Sequence, residues 1–129
     1  QTMKYAGPAA KTAGVSMEEL AAATGIMANS GIKADMAGTA LRSTLTRLAA
    51  PPKPAGNAIH ELGLSITDAN GRMKPLSNII DQINEKTKNY TETEKIRIAK
   101  QLAGQHALSG FITLLHAGGD KIDKFTKEI

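Results

Sequence analysis

The chain has 129 residues, of which 41% are hydrophobic and 22% charged, and its formal net charge is +4. These proportions are typical of a folded globular protein, and the absence of cysteine excludes disulfide scaffolds, thiolate metal sites and thiol catalysis. Aromatic residues make up only 3%, so we expect a thin core of modest stability, in which helices pack through small side chains.

Helical patterns fill the first third of the chain, starting with a predicted helix over residues 3–13. Ser16 and Glu19 then fit a capping box, in which the Ser16 hydroxyl accepts from the Glu19 amide and the Glu19 carboxylate reaches back. This second helix ends at Gly31, which suits a left-handed C-terminal position, and a third is expected over residues 33–48. The predicted apolar faces are Met17, Leu20, Ala21, Thr24 and Met27 on the second helix, and Ala37, Leu41, Leu45 and Leu48 on the third.

A short fourth helix is expected over residues 55–62, after the cluster Pro-Pro-Lys-Pro at residues 51–54 breaks the helical pattern. A small β-hairpin is then predicted near residues 64–74. Leu64 and Ile66 alternate there with Ser65 and Thr67, as a half-buried strand requires, and Asn70-Gly71 tolerates the positive φ angles of a tight turn. Because a lone two-stranded hairpin is marginal in water, we expect it to lean on the surrounding helices.

Three further helices are predicted after Pro75, which can open the first of them. Thr91 and Glu94 suggest a capping box for the next helix, and Gly118-Gly119 separates the last two. Asp120 can cap the final helix. The predicted apolar faces are Leu76, Ile79, Ile80 and Ile83; then Ile96, Ala99 and Leu102; then Leu108, Phe111, Ile112 and Leu115; and finally Ile122, Phe125 and Ile129. The prediction is therefore a mainly α, compact multi-helix domain of about seven short helices and one small hairpin.

The side chains that could carry chemistry form no recognisable site. His60, His106 and His116 lack metal-ligand spacing, the last two being about 15 Å apart if they share a helix. When Gly71 is aligned with the glycine of a calcium loop, the first ligand position is occupied by Ile66, so that motif fails. The Gln105-His106 pair has no nucleophile nearby in the sequence. Ser43, Ser77 and Ser109 lack the Gly-x-Ser-x-Gly pattern of a nucleophile elbow. We therefore predict no catalytic, cofactor-binding or metal residues, and no cofactor.

Two alternative functions stay open. A basic helical nucleic-acid-binding module is suggested by the net charge and by Lys95, Arg97 and Lys100, although aromatic stacking residues and a one-sided basic face are lacking. A muramidase-like enzyme would need a carboxylic acid in a cleft, whereas Glu18, Glu19 and Glu61 are better explained as cap or surface residues. A membrane protein is not predicted, because no apolar run approaches the ~20 residues that cross a bilayer.

The order of four motifs resembles the core of phage tail tape measure proteins. The resemblance lies in residues 14–32 (Gly-Val-Ser-Met-Glu-Glu-Leu through Asn-Ser-Gly-Ile), in residues 37–48, in the hairpin segment 61–76, and in Gly-Gln-His-Ala-Leu-Ser-Gly at 104–110. It spans residues 3–115, and the proline cluster at 51–54 departs from it. His106 falls at a variable-looking position of the last motif, which further weakens a catalytic interpretation.

This resemblance implies a structural, non-enzymatic role. Tape measure proteins lie in the lumen of the phage tail tube, set tail length during assembly and leave ahead of the DNA at infection. The implied partners are other copies of the chain, the tail tube protein, tail assembly chaperones and tail-tip proteins, with host envelope contact during ejection and no specific nucleic acid. The implied location is the virion tail, with the host cytoplasm during assembly and a prophage as a source. Because the sequence begins at Gln1, we expect residues 1–129 to be a single helical domain excised from a longer tape measure chain.

Overall fold

The computed structural model describes residues 15–128, and six helices account for most of this part of the chain. They are α1 (Met17–Asn29), α2 (Ala34–Ala49), α3 (Lys53–Leu62), α4 (Leu76–Lys86), α5 (Glu92–Ala103) and α6 (Leu108–Lys127). The mainly α prediction is confirmed. The predicted count of seven is not matched, because the helix over residues 3–13 lies outside the described residues and the last two predicted helices form α6, which is interrupted at Gly118.

Helix α6 lies at the centre of the fold and packs against α1, α2, α4 and α5, while α3 packs against α5. The predicted apolar faces of α2 and α4 are confirmed, since all of their members are buried. A single core connects these faces with Met27, Ile98, Leu102, Phe111 and Leu114.

The apolar faces of the other helices were predicted only in part. On α1 the buried apolar side chains are Ala22, Ala23, Ile26 and Met27, whereas Met17 is 78% exposed. On α5 the buried face turns towards Ile98, and Ile96 is 47% exposed. On α6 Phe111 and Leu114 are buried, while Leu108, Ile112 and Leu115 are only partly so. Helical spacing alone does not show which side of a weakly amphipathic helix meets its neighbours.

The start of α3 corrects the interpretation of the proline cluster. The helix begins at Lys53 rather than Ala55, with Pro52 at the N-cap and Pro54 within the first turn. The first turn of a helix leaves its N–H groups without an intrahelical acceptor, so proline, which has no N–H, loses no hydrogen bond there. These prolines therefore open the helix. The C-terminal predictions are confirmed at Gly31 (φ 98°) and Gly63 (φ 67°), which both adopt left-handed conformations just after their helices.

The predicted hairpin is reduced to one antiparallel bridge between Thr67 and Met73, and residues 15–128 contain no extended strand pair. The alternation of buried and exposed side chains over residues 64–67 is nevertheless confirmed. The segment also leans on a helix, as expected. The side-chain amide of Gln82 in α4 accepts from the Ser65 N–H (2.8 Å) and donates to the Ser65 carbonyl (2.8 Å). The bridge itself is flanked by two backbone hydrogen bonds, from the Asp68 N–H to the Arg72 carbonyl and from the Lys74 N–H to the Ile66 carbonyl.

The tight turn lies one residue earlier than predicted. The Gly71 N–H donates to the Asp68 carbonyl at 3.0 Å, so Ala69 and Asn70 occupy the central positions. Among the described residues only glycines have positive φ, and here Gly71 (79°) takes it alone. The Asp68 carboxylate also accepts from the amides of Asn70 and Arg72, which favours this turn over one centred on Asn70-Gly71.

Candidate functional site

Glu19 joins α1 to the start of α4. Its side chain is 4% exposed, and its two carboxylate oxygens accept from the backbone amides of Leu76 (2.7 Å) and Ser77 (2.9 Å). The Ser16 half of the predicted capping box is confirmed, since its hydroxyl accepts from the Glu19 amide at 3.0 Å. The other half of the prediction, in which the Glu19 carboxylate reaches back to the Ser16 amide, is wrong. The carboxylate instead accepts from two amides that have no partner within α4, at the positive end of that helix, and so joins α1 to α4.

Arg47 makes the equivalent contact at a helix C-terminus. From α2, its Nε donates to the Leu102 carbonyl (3.2 Å) and its Nη2 to the Gln101 carbonyl (2.9 Å), both in the last turn of α5. The last carbonyls of a helix lack intrahelical partners and carry partial negative charge, so a guanidinium stabilises this end. Gly104 (φ 89°) is the residue that follows α5, and a Cβ added to it would lie 3.4 Å from the Arg47 guanidinium.

Asp81 binds the interruption of α6. Gly118 there has φ 82° and ψ 163°, and the Gly119 N–H donates to Asp81 Oδ1 at 2.9 Å. The predicted break at Gly118-Gly119 is thus confirmed in position. Asp120 was expected to cap the helix that follows it, whereas the observed side-chain acceptor at this break is Asp81 in α4. Together, Glu19, Arg47 and Asp81 join helices that are distant in the sequence.

A fourth polar contact joins α3 to α5. Arg97 donates to both carboxylate oxygens of Glu61 (3.2 and 3.1 Å), and the Tyr90 hydroxyl donates to the same carboxylate at 2.7 Å. Gln101 accepts from Arg97 (2.7 Å) and donates to the Pro54 carbonyl (3.0 Å). The hydrogen bond from Arg97 lowers the pKa of Glu61 the most, and the hydrogen bond from Tyr90 lowers it further. In turn, the hydrogen bond to Glu61 raises the pKa of Tyr90 and that of Arg97.

The lowered pKa of Glu61 predicts a measurable acid dependence. Because its folded-state pKa lies below the ordinary value of 4.5, ionised Glu61 favours the folded state above that pH, and this contribution is lost as pH falls through the folded-state pKa. In an NMR titration we expect the Glu61 carboxyl to titrate below 4.5 in the natural sequence and closer to 4.5 in Arg97→Gln. Equal values in the two proteins would contradict the predicted effect of Arg97.

The candidate catalytic and metal residues do not come together. His60 is exposed in α3, His106 lies exposed in the turn before α6, and His116 is exposed within α6, so the last two do not share one helix as the spacing estimate assumed. Among residues 15–128, no group of three or more histidine, aspartate and glutamate side chains is placed to hold a metal ion. Of the acids considered for a muramidase, Glu19 caps α4 and Glu61 binds Arg97.

The basic residues of α5 are largely engaged with carboxylates. Arg97 pairs with Glu61 at 3.1 Å and Lys95 lies 3.7 Å from Glu92, while Lys100 is exposed on the same helix. Nucleic-acid binding requires lysines and arginines free to reach phosphates, so these pairs do not favour it. In the described part of the chain, no helix is long and apolar enough to cross a membrane.

A partly enclosed groove lies between α4, α5 and α6. Its volume is about 190 Å³, and its lining includes Ile83, Ile96, Ile112 and Leu115. A second, more open depression of about 530 Å³ lies beside Met36, which is 61% exposed, and His106. The first groove is also lined by Glu92, Lys95 and His116, and the second by Asp35. In the first groove Glu92 lies 3.7 Å from Lys95, so these two side chains pair with each other.

Comparisons with known proteins place the sequence in a family. The model of the phage-related minor tail protein family matches residues 1–104. The tape measure protein of Pneumococcus phage Dp-1 is 46% identical over 129 residues, which cover 100% of this chain and 11% of that protein. The probable tape measure protein of Escherichia phage P2 is 37% identical over 127 residues, covering 96% of this chain and 16% of that protein.

This chain therefore spans only a small part of the length of the curated relatives that it matches. No solved structure matches it. Because the family model covers most of the sequence and both relatives align along nearly all of it, the chain belongs to the phage-related minor tail protein family.

Proposed function

We propose that this chain is a structural module within a longer phage tail tape measure protein, which sets tail length during assembly and lies in the lumen of the tail tube. The observation that carries this proposal is the 46% identity, over the whole chain, to the tape measure protein of Pneumococcus phage Dp-1. The tail tube protein, tail assembly chaperones, tail-tip proteins and other copies of the chain are the proposed partners.

The polar contacts of the fold support a structural rather than an enzymatic role. Glu19, Arg47 and Asp81 bind backbone groups of other helices, and Glu61 binds Arg97. Side chains used in this way hold helices together. They are not poised, as a general acid or base would be, at a cleft where a substrate could reach them.

The length-setting role can be tested in a phage whose tail protein carries this sequence. Duplicating the 129-residue segment in frame would lengthen the tails by up to about 190 Å, at 1.5 Å per helical residue, and deleting it would shorten them. Tail length is measured by electron microscopy of negatively stained particles. As a control, an equally long segment is added to a tail-tip protein, which we expect to leave tail length unchanged. Tails of natural length in both the duplication and the deletion would contradict the proposal.

The proposed position in the lumen can be tested separately by proteolysis of intact tails. We expect this segment to be protected from added protease in full particles and to be cleaved after the particles have released their DNA. The tail tube protein of the same particles serves as the internal control, because its exposure should not change. Cleavage of the segment in full particles would contradict a position inside the tube.

A further inference from the structure

We propose that the contact between α4 and the interruption of α6 is a conformational switch. While α4 is packed, α6 is bent at Gly118; when α4 detaches, α6 becomes one continuous helix over residues 108–127. The switch is a property of the folded chain, and it holds whether or not the chain sets tail length.

The bend is confined to one residue. Gly118 (φ 82°, ψ 163°) is the non-helical residue within α6, which otherwise runs from Leu108 to Lys127. This region of backbone space is open essentially to glycine alone. Since glycine also adopts helical angles, nothing in the covalent chain prevents the segment from straightening, at a cost of about 1 kcal/mol per glycine relative to alanine.

Two side chains of α4 bind the backbone groups that a continuous helix would pair with each other. In a straight α6, the Gly119 N–H would donate to the Leu115 carbonyl, four residues earlier. In the bent form that N–H donates to Asp81 Oδ1 (2.9 Å), and the Leu115 carbonyl accepts from Asn84 Nδ2 (2.9 Å). Asp81 and Asn84 are three residues apart, so they lie on one face of α4. Helix α4 therefore supplies an acceptor and a donor in place of the hydrogen bond broken at the bend.

Close packing explains why α4 and the bend occur together. A Cβ at Gly119 would overlap the Asp81 carboxylate and would lie 2.5 Å from the Ser77 carbonyl oxygen. Only glycine allows α4 to approach the backbone of α6 this closely. When α4 leaves, the Gly119 N–H and the Leu115 carbonyl lose their side-chain partners, and the unsatisfied groups favour the helical hydrogen bond.

The experiment is a distance measurement across the bend in the 129-residue chain. The chain has no cysteine, so Ser109→Cys and Lys124→Cys introduce unique sites for spin labels at two exposed positions. In a continuous helix their Cα atoms would be about 22 Å apart, at 1.5 Å per residue, and a bend at Gly118 makes the distance shorter. Double electron–electron resonance gives the distance distribution, and far-UV circular dichroism gives the helix content of the same samples.

We expect the labelled natural sequence to show the shorter distance. Asp81→Ala combined with Asn84→Ala should produce a population at the straight-helix distance, with helix content unchanged or increased. Gly118→Ala should shift the distance in the same direction, because alanine is strained at φ 82°. Glu85→Ala combined with Lys88→Ala is the matched control at the C-terminal end of α4. These exposed residues pair with each other, and this variant should keep the short distance.

Two results would overturn the proposal. One is a distance in the Asp81→Ala, Asn84→Ala protein equal to that of the natural sequence. The other is a longer distance accompanied by loss of helical circular dichroism, because that combination reports unfolding rather than straightening.

Discussion

Replacing Glu19 by alanine is expected to lower the free energy of unfolding by about 2–4 kcal/mol. The carboxylate is buried, and it accepts from the first two amides of α4, Leu76 and Ser77. Removing it leaves both N–H groups without this acceptor in a place that water reaches poorly, and it removes a negative charge from the positive end of the helix. The cost should therefore exceed that of losing an exposed cap.

Urea denaturation followed by circular dichroism measures this change, and Glu18→Ala is the matched control. Glu18 is the preceding residue of the same helix and is exposed, so its replacement should change the free energy of unfolding by less than about 0.5 kcal/mol. Glu19→Gln should lie between the two, because the amide keeps one acceptor oxygen but turns an NH₂ group towards the second backbone N–H. Equal stabilities of the Glu18→Ala and Glu19→Ala proteins would refute the capping role.

Replacing Phe111 by alanine is expected to have the largest effect of any single substitution proposed for this chain, about 3–5 kcal/mol. Phe111 is 1% exposed and is the largest of the fully buried side chains in the described part of the core. The chain has only two phenylalanines and no tryptophan, so few other side chains are large enough to fill the resulting cavity. The packing of α6 against its neighbours should weaken throughout.

The matched control is Phe125→Ala, at the second phenylalanine, in the same helix. Phe125 is only partly buried against the core, and Lys121 Nζ lies 5.7 Å from its ring centre, so we expect a loss of about 1 kcal/mol. Both values come from chemical denaturation under the same conditions. If the Phe125 substitution cost as much as the Phe111 substitution, the centre of the core would have to lie elsewhere than at the N-terminal part of α6, where Phe111 is located.

Local sequence signals predicted most of the helix ends. The Ser16 hydroxyl cap, the Thr91–Glu94 capping box and the left-handed glycine at 31 are all observed. Each depends on residues within a few positions of one another, so their geometry follows from the helix itself. The apolar faces of α2 and α4 were also predicted correctly, since all of their members are buried.

Predictions that depended on a neighbour were less successful. The hairpin was expected to pair two strands, but the described residues form only the bridge between Thr67 and Met73, and the amide of Gln82 in α4 binds Ser65 beside it. The buried faces of α1 and α5 also differ from their predicted stripes, because small alanines on α1 and Ile98 on α5 meet the core instead. In such weakly amphipathic helices, the partner helix decides which side is covered.

By itself, the sequence determined that the chain is mainly helical and where most helices end, and its ordered motifs identified the phage tail resemblance. Only the tertiary structure decided which helix ends are joined: Glu19 with the start of α4, Arg47 with the end of α5, and Asp81 with the bend of α6. The physical reason is the range of the interactions. A cap made within one turn is encoded by neighbouring residues, whereas a carboxylate reaching a helix 57 or 38 residues away depends on how the whole chain packs.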